Sequence, residues 1–350
     1  MVTATTMPYP DQRVTVGVDT HGDIHVAAVL DERGRLLSTT SFPTTAAAHR
    51  RLERWAMAFG RPVFGVEGTG AYGAGLARHL LAQGHSVVEV DRPHRRTRRR
   101  RGKSDAIDAE AAARAVLAGT ATGTPKQRSG PVEAIRALRV ARRSAIKARS
   151  QAAHQLHCLV TTAPDEIRDR LRQLSLPALV ETCARSRPGA ARTAADATRF
   201  ALRMVARRYQ ALRAEVEQLD AELEPLVRSC GAPLLAVHGV GVEVAGQLLV
   251  TAGDNPERLR SESSFAHLCG VAPLPASSGK TQRHRLNRGG DRQANAALYH
   301  VVLTRLRWNS RTIAYVDRRT QEGRNKPEII RCLKRYVARE VFVALQKCRA

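Results

Sequence analysis

Between residues 14 and 90, short β-branched runs alternate with turn signals and two helical stretches, and this alternation restricts the fold more than any other feature of the chain. Val14-Thr15-Val16-Gly17-Val18-Asp19 reads as a strand, and Ile24 to Leu30 follows it after Gly22-Asp23. Asp31-Glu32-Arg33-Gly34 is a second turn signal before Leu36 to Phe42, so three consecutive antiparallel strands are expected. Ala46 to Phe59 then reads as a helix, and Pro62 opens a buried strand from Val63 to Val66 that ends at Glu67. Gly68-Thr69-Gly70 breaks that strand, Tyr72 to Gln83 is helical, and Ser86 to Val90 returns to strand. The order βββαβαβ followed by another helix calls for a mixed sheet with helices packed on it.

The chain has 350 residues, enough for two or three units, so no small disulfide-stapled scaffold is needed. Lys and Arg number 57 against 32 Asp and Glu, leaving +25 at pH 7, while 43% hydrophobic residues exclude a disordered basic tail. Such a field attracts polyanions, either nucleic acid or an anionic membrane surface. No apolar stretch reaches the roughly 18 residues of a membrane span, so nucleic acid is the expected partner and no membrane is. The opening residues lack the basic-then-apolar order of a secretion signal, so the chain is expected to remain in the cytosol. Cys158, Cys183, Cys230, Cys269, Cys332 and Cys348 lie singly without C-x-x-C spacing and are expected to be reduced, mostly core thiols.

Eight of the twelve residues from Arg92 to Lys103 are Lys or Arg, and they lead into an Ala-rich helix that Ser104 can cap. Gly119 to Gly130 is a turn-rich linker, and Val132 to about Thr162 is a helix with a basic face. Leu202, Val205, Tyr209, Leu212, Val216, Leu219, Leu223 and Leu226 alternate steps of three and four, the seam of a coiled coil. A helix hairpin with residues 132–162 that pairs with a second copy is the preferred reading; one helix of an intramolecular bundle is the alternative. Pro225, Gly231 and Pro233 mark a boundary, after which Gly239-Val240-Gly241 sits between two apolar helical runs like a helix-hairpin-helix turn. The expected division is an extension at 1–13, an α/β domain at 14–125, a helical region at 130–230 used for oligomerisation, and a mainly helical domain at 231–350.

Asp19 ends the first strand, Glu67 ends the strand after the first helix, and Asp105 and Asp108 lie three apart on one helix face. Such carboxylates can converge at one end of a ribonuclease-H-type sheet, and a cluster of oxygen ligands suits hard divalent cations in two-metal phosphoryl transfer. Acids at a helix N-terminus are ordinarily dipole partners, which is the bland reading of Asp105 and Asp108. The joint pattern in a chain short of acids favours the metal reading.

Gly17-Val18-Asp19-Thr20-His21, Val66-Glu67-Gly68-Thr69-Gly70-Ala71-Tyr72 and Lys103-Ser104-Asp105-Ala106-Ile107-Asp108-Ala109 resemble the three DEDD blocks of the insertion-sequence one-ten family of transposases, related to Piv-type DNA invertases. The C-terminal half is similar to the family's second block: the Gly239-Val240-Gly241 hairpin, Phe265 to Pro273, Ser277-Ser278-Gly279-Lys280 and the basic Arg283 to Gly290 stretch. The chain departs from the family at Ser104, where Thr is usual, and at Gly289-Gly290-Asp291, where Gly-Asn is usual. The resemblance implies a RuvC-like N-terminal domain, a coiled-coil linker and a C-terminal transposase domain. It further implies Mg2+, with Mn2+ as a substitute, held by Asp19, Glu67, Asp105 and Asp108 at a composite site built by different subunits. A serine would attack DNA and form a phosphoserine link. Guidance would come from a structured non-coding (bridge) RNA pairing with donor and target DNA, and the assembly would be a dimer to tetramer.

The matching Ser-Gly points to Ser278 as nucleophile, with Ser277 the adjacent contender. A Ser hydroxyl needs an electropositive surround to react with a phosphate, and Lys280, Arg283, His284 and Arg285 lie close in sequence. His21 and His284 are candidate proton carriers, though such histidines more often bind a phosphate or a neighbour. Arg95, Arg96, Arg98, Arg99, Arg100, Arg101 and Lys103 suit a phosphate backbone, and Arg142, Arg143 and Lys147 a double-stranded DNA groove or an A-form RNA surface. With 4% aromatic residues, base stacking is not the expected main mode of recognition. A RuvC-type junction-resolving nuclease without a serine intermediate, or a non-catalytic nucleic-acid-binding protein, remains the alternative.

Overall fold

The computed structural model describes residues 12–91, 104–279 and 284–348. The chain divides into two compact units, one of residues 1–130 with 252–265, the other of residues 131–251 with 266–350. The segment at 252–265 therefore belongs with the N-terminal unit. Asn255 accounts for this locally: its side chain donates to the Pro125 carbonyl at 3.0 Å and accepts from the Gln127 amide at 3.1 Å, satisfying an extended linker that has no sheet partner there.

In the first unit the strands are β1 (Arg13–Thr20), β2 (Ile24–Leu30), β3 (Leu36–Pro43), β4 (Arg61–Glu67) and β5 (Ser86–Val90). Among the described residues they form one sheet in the order β3-β2-β1-β4-β5, antiparallel from β3 to β1 and parallel from β1 through β4 to β5. The helices are α1 (Ala46–Met57), α2 (Ala74–Ala82) and α3 (Asp105–Leu117). This order and mixed sheet agree with the βββαβαβ reading and are consistent with a ribonuclease-H-like fold. Helix α2 starts two residues later than expected, because the Ala71 and Gly73 amides both turn back onto the Gly68 carbonyl.

Strand parity separates the two faces of the sheet. Val14, Val16, Val18, Ala27, Val29, Phe64, Val66 and Val87 pack with Leu52, Leu76 and Leu80 of α1 and α2 into the main core. Each fully buried large side chain contributes about 1.5–3 kcal/mol. On the opposite face Gly17 and Gly65 lie on adjacent parallel strands in register. A Cβ on Gly17 would overlap the backbone of Ala109 and Ala113, and one on Gly65 would strike Val116, so α3 lies against the sheet at both glycines. Gly17→Val should destabilise the first unit by about 3 kcal/mol, read as a fall in its denaturant midpoint, because neither backbone can yield.

The core also holds His25, fully buried and stacked on His49 with ring centroids 5.6 Å apart. Beside them His79 and His85 share the Glu53 carboxylate at 2.7 and 2.8 Å. Burial pushes the His25 pKa down to about 4. The unfolded chain takes up this proton near the ordinary value and the folded chain does not, so stability present above about pH 6.5 drains away as the pH falls towards 4, by about 3 kcal/mol. Denaturation at pH 7.5 and about pH 5 should register about 2 kcal/mol of that loss, and His25→Leu should flatten the pH dependence.

The second unit is helical, with α4 (Pro131–Thr161), α5 (Asp165–Leu171), α6 (Leu176–Arg185), α7 (Ala194–Leu235), α8 (Val242–Ala252), a short α9 (Glu262–Leu268) shared with the first unit, α10 (Arg292–Trp308), α11 (Ser310–Gln321) and α12 (Lys326–Lys347). Two-residue strands β6 (Leu274–Pro275) and β7 (His284–Arg285) pair antiparallel. The N-terminal part of the α7 seam is covered within the chain: Leu202 lies in one cluster with Leu156 and Val160 of α4 and Leu179 and Cys183 of α6, and Val205 and Tyr209 pack against it. Helix α7 runs on through Pro225 and bends at Gly231, whose φ of −125° leaves the helical range. Pro233 then falls in the first turn after the bend, where its missing N–H costs little. Of the six free thiols only Cys183 and Cys269 are buried and Cys158 is exposed, which corrects the expectation of mostly core cysteines.

Candidate active site

The parallel pairing of β1 with β4 sets Val18 beside Val66, so Asp19 and Glu67 follow at the neighbouring C-terminal ends of two central strands. Both are buried. They share the sheet face of Gly17 and Gly65, two residues earlier, and this is the face covered by α3. Thr20 ties the two strand ends together, its hydroxyl donating to the Glu67 carbonyl at 2.9 Å. Gly68 follows with φ of +66°, a left-handed conformation that lets the chain turn away directly after the acid.

Helix α3 brings the other two acids. The Ser104 hydroxyl accepts from the Ile107 amide at 3.3 Å and fixes where the helix begins, so Asp105 and Asp108 fall in its first turn. Asp108 is buried and Asp105 is exposed. His21 lies between the strand and the helix, its Nε2 3.1 Å from Asp19 Oδ2 and 3.4 Å from Asp105 Oδ1. Burial raises the Asp19 pKa; the His21 charge and hydrogen bond oppose that, while Asp108 and Asp105 reinforce it.

Asp19, His21 and Asp105 each offer a ligand atom within 4.8 Å of the others; this is the group so arranged among the described residues. His21 thus joins the set of Asp19 and Asp105. A buried carboxylate whose charge is resisted by two neighbouring acids is a place where a cation is favoured. Oxygen donors from Asp19 and Asp105, with Glu67 on the adjoining strand end and Asp108 on the next step of the helix, fit a hard divalent ion.

Ser277 and Ser278 are exposed in the loop between β6 and β7, in the second unit. Gly279 beside them has φ of +57°, and no described atom beyond its chain neighbours lies within 4 Å of where its Cβ would be. Arg285 is exposed on β7. Lys280 and Arg283 lie outside the described residues, as do Arg95, Arg96, Arg98, Arg99, Arg100, Arg101 and Lys103. Arg143 and Lys147 are exposed one turn apart on α4. Arg142, expected to face nucleic acid with them, instead pairs with Asp220 of α7 and with Glu243 of α8 at 2.9 Å. It is the residue of the three that faces other helices.

Residues 16–163 match a family model of IS110 DEDD type described as a transposase. Residues 231–317 match a second, described as the transposase IS116/IS110/IS902 family. The chain belongs to the IS110 family of transposases. Among curated relatives, the 42 kDa protein of insertion element IS900 from Mycobacterium paratuberculosis is 27% identical over 134 residues, 37% of this chain and 34% of that protein. The 43.6 kDa protein of insertion element IS110 from Streptomyces coelicolor is 29% identical over 139 residues, 39% of this chain and 34% of that protein. The matched part spans about a third of the length of either relative.

In this IS110-family chain the turn Gly289-Gly290-Asp291 has a structural job. A Cβ on Gly290 would overlap Gly270, and Asp291 caps α10 through the Gln293 and Ala294 amides at 2.8 and 3.2 Å. The other oxygen of Asp291 accepts from Thr251 at 2.9 Å; Thr251 accepts from Gln247 at 3.2 Å, and Gln247 accepts from buried Arg139 at 3.1 Å. A polar chain thus runs from α4 through α8 to the start of α10. Gly65 and Thr251 were not among the expected functional positions, and Asp291 figured there only as a departure from the family's Gly-Asn. The repeated pattern Gly-Val-Asp at 17–19 and Gly-Val-Glu at 65–67 was the available signal for the glycines.

Asp19→Asn removes a buried like charge, so the variant without divalent ions should melt above the parent chain. Added Mg2+ should raise the melting temperature of the parent and leave the variant unmoved, since binding to the folded state alone stabilises it. Differential scanning fluorimetry with and without Mg2+ checks both halves.

Proposed function

We propose that this chain is a DNA transposase that cuts and rejoins strands to move an insertion sequence, with divalent-ion assistance and a serine nucleophile. The observation that carries the reading is the convergence of Asp19, His21 and Asp105 at the C-terminal edge of the sheet, beside Glu67 and Asp108, in a unit matching the family's DEDD model. Asp19 and Asp105, supported by Glu67 and Asp108, would hold Mg2+ or Mn2+. The ion when bound supplies charge stabilisation to a phosphate undergoing displacement.

The chain's own groups do the rest. His21 keeps Asp19 and Asp105 close together and can hold a proton at Nε2 when no ion is there. Ser278 Oγ gives up its proton and forms a bond to the phosphodiester phosphorus as one ester oxygen leaves and takes up a proton, giving a phosphoserine link. A second DNA hydroxyl later loses its proton and bonds to phosphorus while the Ser278 Oγ–P bond breaks and Oγ is reprotonated. Gly279 leaves room for the strand, and Arg285 offers positive charge to its backbone. The net charge of +25 supports DNA as substrate and a structured guide RNA as partner. Phe200 and Met204, exposed four apart on α7, support a homo-oligomer formed through this region. Among the described residues no helix is long and apolar enough to cross a membrane.

End-labelled element-junction DNA incubated with the protein and Mg2+ should yield a covalent protein–DNA adduct. Ser278→Ala should abolish the adduct while Ser277→Ala retains it. Asp19→Asn should lower strand exchange by at least about a hundredfold with DNA binding kept. Hydrolytic nicking that survives in Ser278→Ala would replace the serine with water and make the protein a RuvC-type nuclease.

A further inference from the structure

The second unit contains an open groove of about 940 Å³ walled by α10, α11 and α12. Each helix presents one face to it at helical spacing: Val302, Arg305 and Asn309 from α10 and the residue after it, Arg311, Tyr315 and Arg318 from α11, and Tyr336, Arg339 and Glu340 from α12. None of these residues belongs to the acidic cluster or the serine loop.

Charge and shape narrow what can occupy it. Arg305 is buried in the floor and spends its guanidinium on the His238 carbonyl at 2.9 Å and on both oxygens of Glu340 at 3.1 and 2.7 Å. That pairing neutralises the one acid among the described lining residues, and although Arg318 also meets Glu322 of its own helix at 3.8 Å, the three further cations Arg311, Arg318 and Arg339 leave the groove positive. Between these cations sit two of the six tyrosines of a chain poor in aromatics, Tyr315 and Tyr336, edge to face with centroids 5.7 Å apart. The Arg318 guanidinium lies over the Tyr315 ring at 5.4 Å from its centroid. Tyr336 is 49% exposed, a large ring surface held half open at the mouth.

Cations that flank a half-open aromatic face form the arrangement that holds a base by its π-face and its neighbouring phosphates by charge. A duplex keeps its bases stacked on one another and cannot offer a face to a ring between helices. We propose that this groove binds an unpaired stretch of nucleic acid, with one base stacked on Tyr336 and the adjoining phosphates held by Arg311, Arg318 and Arg339. This is a second nucleic-acid site, and it stands whether or not the strand-exchange reading does.

The test is equilibrium binding of the full chain to fluorescein-labelled oligonucleotides of one sequence: single-stranded DNA, single-stranded RNA, and the DNA duplex. Tyr336→Leu should weaken at least one single-stranded probe about tenfold, Tyr336→Phe should bind as the parent does, and duplex affinity should stay within about twofold. Arg318→Gln, at an exposed position, should lower the salt dependence of single-strand binding by about one ion. It repeats the test should Tyr336→Leu melt early. Whichever single strand loses more affinity on Tyr336→Leu is the one the groove takes. Equal loss on duplex and single strands, or unchanged single-strand binding in both Tyr336→Leu and Arg318→Gln, overturns the proposal. Failure of strand exchange in the parent chain would leave these binding results intact, so the two readings fail separately.

Discussion

Helix α3 lies against the sheet because β1 and β4 carry glycine at the two points where it crosses them. Side chains there would hold helix and sheet apart by the usual packing distance. Without them the first turn of α3 reaches the strand ends, where Asp19 and Glu67 emerge two residues later on the same face. The acidic cluster follows from this contact: the strands supply two carboxylates, the helix supplies two more, and the small residues Ala109, Ala112 and Ala113 let them meet.

Electrostatics in the two units run in opposite senses. In the first, acids that repel one another are gathered in a protein of net charge +25, and the buried Asp19 is left resisting its own ionisation. That arrangement is costly in the protein alone and relieved by a cation, which is how binding energy is stored in a preformed site. In the second unit much of the positive charge has structural partners. Arg139, Arg142 and Arg305 join helices to one another through Gln247, Asp220, Glu243 and Glu340. The exposed remainder, such as Arg143, Lys147 and Arg311, is what a polyanion can reach.

Period-two runs and glycine turns made the strand order of the first unit readable, since each strand had to bury one face and each turn needed its own residues. The acids were legible by their positions at strand ends and after Ser104. The part of His21 was not, because it depends on Asp105 arriving from a helix far along the chain. Arg142 and Arg143 are adjacent in sequence and look alike there, yet one faces Asp220 and the other faces water. The seam of α7 was legible as a seam, but a heptad pattern does not name its partner, and here α4 and α6 of the same chain cover its N-terminal part. The tyrosines of the groove lie on two helices, with no spacing between Tyr315 and Tyr336 to join them.

The amino-acid sequence by itself determined the local elements, the identity of the acids and the family blocks, because those follow from periodicity, turn chemistry and residue type within short windows. Tertiary structure alone decided which side chains became neighbours: His21 with Asp19 and Asp105, Asp291 with Thr251, and a cationic groove walled by three helices. Such contacts rest on helices packing at particular places along one another, and that depends on the shape of whole faces, which no local pattern encodes.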